Sequence, residues 1–351
     1  MSQDTPEREI ALTPEIIRLA RLGAWFVFSV SGGKDSGAAM HGANAWLDSV
    51  GHPHDRRLAL HADLGRAEWP ETMDMVRSVA HHANVPLEIV SQTKDLVWRF
   101  EDRWRRSLVR YKALETINMV PPWSSSTLLF CRSEQKGVTL SRHKAKLPGG
   151  LPVVGIIGIR REESTKRSKT PISCEDGEML RRNGRQGVMW HPIAEWTTEE
   201  VFAYHERHQI PLHRAYSLGS TRLSCAYCTL ASRNDLSVSL DLGGNTETFA
   251  SYVSLELQSA FSFQTNHWLS DMGTANQVDA NRLKEAKAIA LERTRHQARV
   301  PKELLKAKTI RHIDMETATT LASVRSAIGD LYGIVVEGRT AISIMEVAER
   351  G

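Results

Sequence analysis

The chain has 351 residues, 45 Lys+Arg against 41 Asp+Glu for a net charge of +4, 41% hydrophobic residues and 4 Cys. At ~100 to 200 residues per domain this length holds a sizeable core and excludes a mini-protein held by staples. The few Cys exclude a secreted disulfide framework, the start MSQDTPEREI has no leader pattern, and the apolar run Leu151 to Ile159 is too short to span a membrane, so a cytoplasmic protein with no membrane contact is expected.

In chain order, Ala24 to Val30 (AWFVFSV) reads as a strand running into Ser31-Gly32-Gly33, and Ser36 to Leu47 as a helix behind that turn. A second strand is expected at Arg57 to Ala62, a helix from about Glu71 to Ala83 and a third strand at Leu87 to Val90. Residues 95–150 read as helix and loop, punctuated by Pro121-Pro122 and Pro148-Gly149-Gly150, before a fourth strand at Pro152 to Ile159. Thr197 is the expected N-cap of a helix to His208, with Glu200 as its reciprocal partner. After Arg233 the alternation stops and the rest reads as helical, with Gly243-Gly244, Gly273 and Pro301 as breakers. This order predicts an α/β fold: an open, mostly parallel twisted sheet with helices on both faces in a domain 1–234, then a helical, basic extension 235–351.

The first motif is Ser31-Gly32-Gly33-Lys34-Asp35-Ser36 at a strand-to-helix turn. Two glycines let backbone N–H groups converge, the helix N-terminus adds unpaired donors, and Lys34 adds a full charge, so a phosphate is expected there. It is not a Walker A loop, because Phe28 stands where that pattern needs Gly and Asp35 where it needs Ser or Thr. This hexapeptide resembles the PP-loop of the N-type ATP pyrophosphatases, which break ATP between its α and β phosphates. Past the second strand, His61-Ala62-Asp63-Leu64-Gly65 and Glu68-Trp69-Pro70-Glu71-Thr72 should face the same crevice. Asp63 is placed there to bond a ribose or hold Mg²⁺, and Glu68 either to act in the site or to cap the next helix. This stretch is similar to the D-x-G-x-x-x-P-E-T of the PAPS (phosphoadenosine phosphosulfate) reductase group.

Gly158 to Arg167 (GIRREESTKR) closes the fourth strand, and Arg160, Arg161 and Arg167 could clamp an anion across from the PP-loop. It resembles the G-x-R-x-x-E-S-x-x-R signature of the same family. His191 to Tyr204 looks like the family's P-I-x-x-W-x-x-x-x-V-x-x-Y segment, which leads to its C-x-x-C, here Cys225 and Cys228. These matches run from about residue 23 to 233 and imply the adenine nucleotide alpha hydrolase-like fold.

Four Cys are the number that a tetrahedral zinc or a 4Fe–4S cluster takes. Cys225 and Cys228 are the first two candidate ligands, Cys131 is the third because it stands in a family-like C-x-x-x-x-K context, and Cys174 is the weakest. A histidine in fourth place, a redox pair and inert thiols are the alternatives; the resemblance favours iron–sulfur over zinc. No Cys follows Cys228, where thioredoxin-dependent reductases of the family carry their nucleophile. The resemblance then turns to the DndC-like and SspD-like branch, implicated in DNA phosphorothioation.

The expected function is an ATP pyrophosphatase that activates a DNA backbone phosphate for sulfur from a cysteine desulfurase or another persulfide donor. In it ATP with Mg²⁺ sits on Ser31 to Ser36, with Lys34, Asp35 and Asp63 in catalytic roles. A sulfonucleotide (PAPS or APS, adenosine 5′-phosphosulfate) reductase and a catalytically silent nucleic-acid-binding relative are the competitors. Arg282 to Arg311 carries ten Lys/Arg against three Glu, and Arg99 to Lys112 six Lys/Arg with Trp104 and Tyr111 interleaved; each reads as a solvated helix face or as a surface for a polyanion such as DNA.

Overall fold

Alternate residues of the first strand go to opposite faces of one sheet, and both faces are covered. Phe26 and Phe28 pack with Ile16, Leu19, Met40, Val76 and Val201 on one side, while Val27 packs with Leu58, Leu60, Val153 and Leu140 on the other. That is why the strands read as continuous apolar runs rather than as alternation. The computed structural model describes residues 7–179, 184–242, 245–306 and 313–350.

The elements in chain order begin with α1 (Pro14–Arg21), β1 (Trp25–Ser29), α2 (Lys34–Ser49), β2 (Arg57–Asp63), α3 (Thr72–His82) and β3 (Leu87–Ser91). Then come α4 (Leu96–Lys112), a π-helix (Cys131–Gly137) that continues as α5 (Val138–Lys144), β4 (Val153–Ile156), β5 (Ser173–Glu175), β6 (Gly187–Trp190) and α6 (Thr198–Arg207). Among the described residues six further α-helices follow: α7 (Arg233–Asp241), α8 (Thr246–Ser259), α9 (Ala280–Gln297), α10 (Lys302–Lys306), α11 (Met315–Leu331) and α12 (Ala341–Arg350). The sheet order is β3-β2-β1-β4-β6-β5, parallel throughout except for β5 against β6. The order reverses between β1 and β4, and in an open parallel sheet the carboxyl ends of such a pair flank the ligand crevice.

The predicted α/β class is the observed one, with helices after the sheet. Two strands lacked a sequence signal: β5 and β6 are three and four residues long, too short for a period to emerge. The fourth strand is shorter than expected because the chain turns away at Gly158. A Cβ there would lie 2.3 Å from the Asp35 carbonyl oxygen, so the close approach to α2 requires glycine.

The chain divides into two units, Met1–Leu96 with Thr127–Thr246, and Val97–Ser126 with Glu247–Gly351. The second thus draws in α4 beyond Leu96 as well as the C-terminal helices. Its core includes Trp104, Tyr111, Trp123 and Tyr252, so the aromatics interleaved in the first basic run are core residues. Arg105 and Arg106 of that run pair with the buried Asp102, and Arg110 with Glu115. In the second basic run Arg293 is buried, donates to Ala260 O and Tyr332 Oη, and lies over the Phe261 ring. Lys287 pairs with Asp271 and Arg295 with Glu292, whereas Arg282 and Lys284 are exposed. Lys308 and Arg311 of that run, like the Gly243-Gly244 breaker, lie outside the described residues. Among the described residues no helix is long and apolar enough to cross a membrane.

The predicted cap of α6 is formed reciprocally: Thr197 Oγ1 accepts from Glu200 N at 3.2 Å and Glu200 Oε2 from Thr197 N at 2.7 Å. Thr197→Ala is expected to cost about 1 kcal/mol, read as a lower urea midpoint at unchanged slope; an unchanged midpoint would count against the cap as a stabilising contact.

Candidate functional site

β1 delivers Val30 and Ser31 to a turn that only glycine makes without strain, Gly32 having φ +73°. Ser36 closes the turn: its Oγ donates to Gly33 O at 2.9 Å and accepts from Ser31 N at 3.2 Å. Gly33 caps α2 but has no side chain to accept the first N–H groups of the helix. The Lys34 N–H instead donates to Tyr216 Oη at 3.0 Å, and His205 Nε2 lies 2.7 Å from the Lys34 carbonyl. Lys34 itself is 2% exposed, its Nζ reaching Asp35 Oδ2 at 3.1 Å and Thr221 O at 3.4 Å between the rings of Phe202 and Tyr216.

Next to this loop is a cavity of about 360 Å³, within the size range of small-ligand sites. Ser31, Gly33, Asp35 and Ser36 line it, together with Gly158, Tyr216 and four cations, Arg132, Lys136, Arg167 and Arg222, against the carboxylates Asp35 and Glu163. Burial and the nearby Arg132 and Arg222 guanidiniums lower the pKa of Arg167, as crowding of like charge must. Arg167 also pairs with Glu163. The lining thus carries more positive charge than its own carboxylates neutralise.

The other expected arginines have different surroundings. Arg160 is 3% exposed, donates from Nε to Asp35 Oδ1 at 2.7 Å and from Nη1 to Glu162 at 2.9 Å, and so acts on the site through Asp35. Arg161 donates to Thr170 O and Glu195. Asp63 ends β2, and its Oδ1 accepts from Gly65 N at 2.7 Å as a turn residue. Arg132, Lys136 and Arg222 were not among the expected anion ligands. The first two had a signal, a spacing of four after Cys131 that puts both on one side of a helix; Arg222 had none.

Glu68 does not cap α3. Its Oε2 stands 3.2 Å from Nε2 of His61, a buried cavity residue whose Nδ1 lies 2.9 Å from Val30 O. Burial lowers the pKa of this imidazole, but the Glu68 carboxylate and the Val30 carbonyl outweigh it and leave it raised.

The thiols sit beside the same loop. Trp69 Nε1 donates to Ser224 O at 2.9 Å and Ala226 N to Ala67 O at 2.9 Å, which fixes the C-x-x-C against the end of β2. Burial pushes the Cys225 thiol well above its ordinary pKa, Lys136 opposes this, and Cys228, Glu68 and Cys131 add to it, so these groups share one neighbourhood. Cys174 does not belong to it. It stands on edge strand β5, four strands from β2, or roughly 19 Å at about 4.8 Å per strand. Among the described residues no three His, Cys, Asp or Glu side chains are grouped to hold a metal ion. Among the described residues the four thiols are therefore not gathered into the cage that a cluster or zinc takes.

Because the folded-state pKa of His61 is raised above 6.5, its stabilising contribution is complete below that value and is lost as pH rises through the raised one. The stability gap between the wild-type chain and His61→Gln is expected to shrink from pH about 6 to about 9 in urea unfolding. A gap that widens with pH would show that His61 is not held as an imidazolium.

A model of the phosphoadenosine phosphosulfate reductase domain matches residues 26–231. An uncharacterized 37.8 kDa protein of Escherichia phage 186 is 28% identical over 244 residues, covering 60% of this chain and 68% of its own. An adenosine 5′-phosphosulfate reductase of Halalkalibacterium halodurans is 35% identical over 72 residues, 20% of this chain and 29% of that enzyme, so the likeness spans under a third of the reductase. The solved PAPS reductase from Candida auris, in a phosphate complex, is 17% identical, with a TM-score of 0.38, over 62% of this chain and 98% of its own. With the family's domain matched from β1 to the residues just past the C-x-x-C, the chain belongs to the phosphoadenosine phosphosulfate reductase domain family.

Proposed function

We propose that the chain is a PP-loop ATP pyrophosphatase that transfers an adenylyl group, with MgATP as substrate. The observation that carries this reading is the cavity itself, in which the Ser31–Ser36 turn faces Arg132, Lys136, Arg167 and Arg222. A triphosphate supplies the negative charge that the four cations lack. In this reading an acceptor oxygen attacks the α-phosphorus and pyrophosphate leaves into the cationic side of the cavity. Catalysis rests on positioning and on charge stabilisation of the leaving group, because adenylyl transfer asks little covalent work of the protein. Lys34 and Asp35 fix the turn from behind, and Asp63 shapes the end of β2.

The acceptor we propose is a DNA backbone phosphate, as in the DndC-like and SspD-like branch: the terminal sulfur of a persulfide donor such as a cysteine desulfurase then attacks the adenylylated phosphorus, AMP leaves, and a second thiol, as reductant, cleaves the S–S bond to the donor. The exposed Arg282 and Lys284 and the excess of Lys/Arg in 282–311 support a phosphate-rich partner. The second reading is a sulfonucleotide reductase, favoured by the local likeness to adenosine 5′-phosphosulfate reductases and by thiols beside the cavity.

Pyrophosphate release from ATP is the test. Arg167→Gln and Arg222→Gln are each expected to lower it by about 10²-fold, the size of effect of losing one charge-stabilising donor, and Lys34→Ala and Asp35→Ala to lower it by releasing the turn that positions the phosphates. Release that is indifferent to all four substitutions, or sulfite formed from APS or PAPS with thioredoxin and no pyrophosphate from ATP, sinks the pyrophosphatase reading.

A further inference from the structure

One donor that a phosphate would use at this turn, the first N–H of α2, is already occupied by the loop that precedes Cys225. Tyr216 Oη accepts from Lys34 N, the first N–H of α2, at 3.0 Å. A backbone N–H at a helix N-terminus is what a phosphate oxygen takes. Five residues on, the Thr221 carbonyl takes Lys34 Nζ at 3.4 Å. Both acceptors belong to residues 213–224, which run straight into Cys225.

This loop is built, not draped. Asp235, 5% exposed at the start of α7, accepts from Thr221 N at 2.7 Å and from Ser220 Oγ at 3.0 Å. The Tyr216 ring packs edge-on against Phe202, with centroids 5.5 Å apart. Tyr216, Arg222 and Leu223 share the cavity wall with Gly33, Asp35 and Ser36, so an anion in the cavity lies beside this loop and the α2 terminus together.

We infer that Tyr216 Oη is an internal stand-in for a phosphate oxygen, and that an entering pyrophosphate group displaces it and moves loop 213–224. The inference rests on the reading of the cavity as a phosphate site and adds to it a substrate-displaced residue, Tyr216. Two consequences are fixed by linkage. Removing the stand-in tightens anion binding, and anion binding loosens the loop that holds the C-x-x-C.

The test uses the full chain with inorganic pyrophosphate as probe. Tyr216→Phe keeps the ring against Phe202 but deletes the competing oxygen, and is expected to bind pyrophosphate about 5-fold more tightly by calorimetry, the worth of one hydrogen bond. Hydrogen exchange on the wild-type chain needs no variant: pyrophosphate is expected to slow exchange in residues 31–36 and to speed it in 213–224. Equal or weaker binding by Tyr216→Phe, a loop that becomes more protected, or no pyrophosphate binding by either protein overturns the inference. Pyrophosphate binding of the expected pattern without any cleavage of ATP leaves it standing and removes the pyrophosphatase reading instead.

Discussion

The carboxylate of Asp35 is the joint on which the site depends. One oxygen takes Lys34 and the other Arg160, so the loop after β1 and the loop after β4 are tied through a single side chain. A buried ionic cluster of this kind adds little net stability, since desolvation offsets most of the attraction, but it allows few alternative geometries. Gly158 strengthens the tie from the backbone side by bringing β4's exit against the first turn of α2. Because β1 and β4 are the pair at which the sheet order reverses, the joint and the cavity share one place.

Much of this was legible in the sequence, for reasons that differ by residue. The strand-to-helix turn at Ser31 to Ser36 was legible because two glycines at the end of an apolar run mark where the chain must turn. The cap at Thr197 and Glu200 is local, so three residues of sequence carried it. The arginines were harder, because sequence gives residue type and not partner. Arg160 and Arg161 read like Arg167, yet their guanidiniums meet Asp35 and Glu195. Arg222 joins the cavity through a loop whose shape is set by Asp235, a long-range fact with no local trace. Cys174 was counted with the other thiols because number is visible in a sequence and strand order is not.

The second unit teaches the same lesson about charge. Arg325, with 0% exposure, donates to the carbonyls of Tyr111, Thr116 and Glu337 and lies over the Tyr111 ring. Glu256, also 0% exposed, accepts from the N–H groups of Phe263, Leu269 and Ser270. Both groups close loops by satisfying backbone polar atoms that burial would leave unpaired. Charge counted along a chain therefore overstates the charge that a partner meets, and the Arg293 side chain is one such subtraction.

The π-helix at Cys131–Gly137 sets a constraint of winding rather than of composition. Cys131 and Lys136 are five residues apart, yet both act on the Cys225 thiol. Five residues of α-helix turn about 500°, which would point them to different sides, whereas the wider π turn, closed by i to i+5 bonds, brings such a pair nearly into line. Rewinding this segment as α-helix at unchanged length would keep every residue and still turn this thiol and this ammonium to different sides. The segment's register is thus part of the site's chemistry.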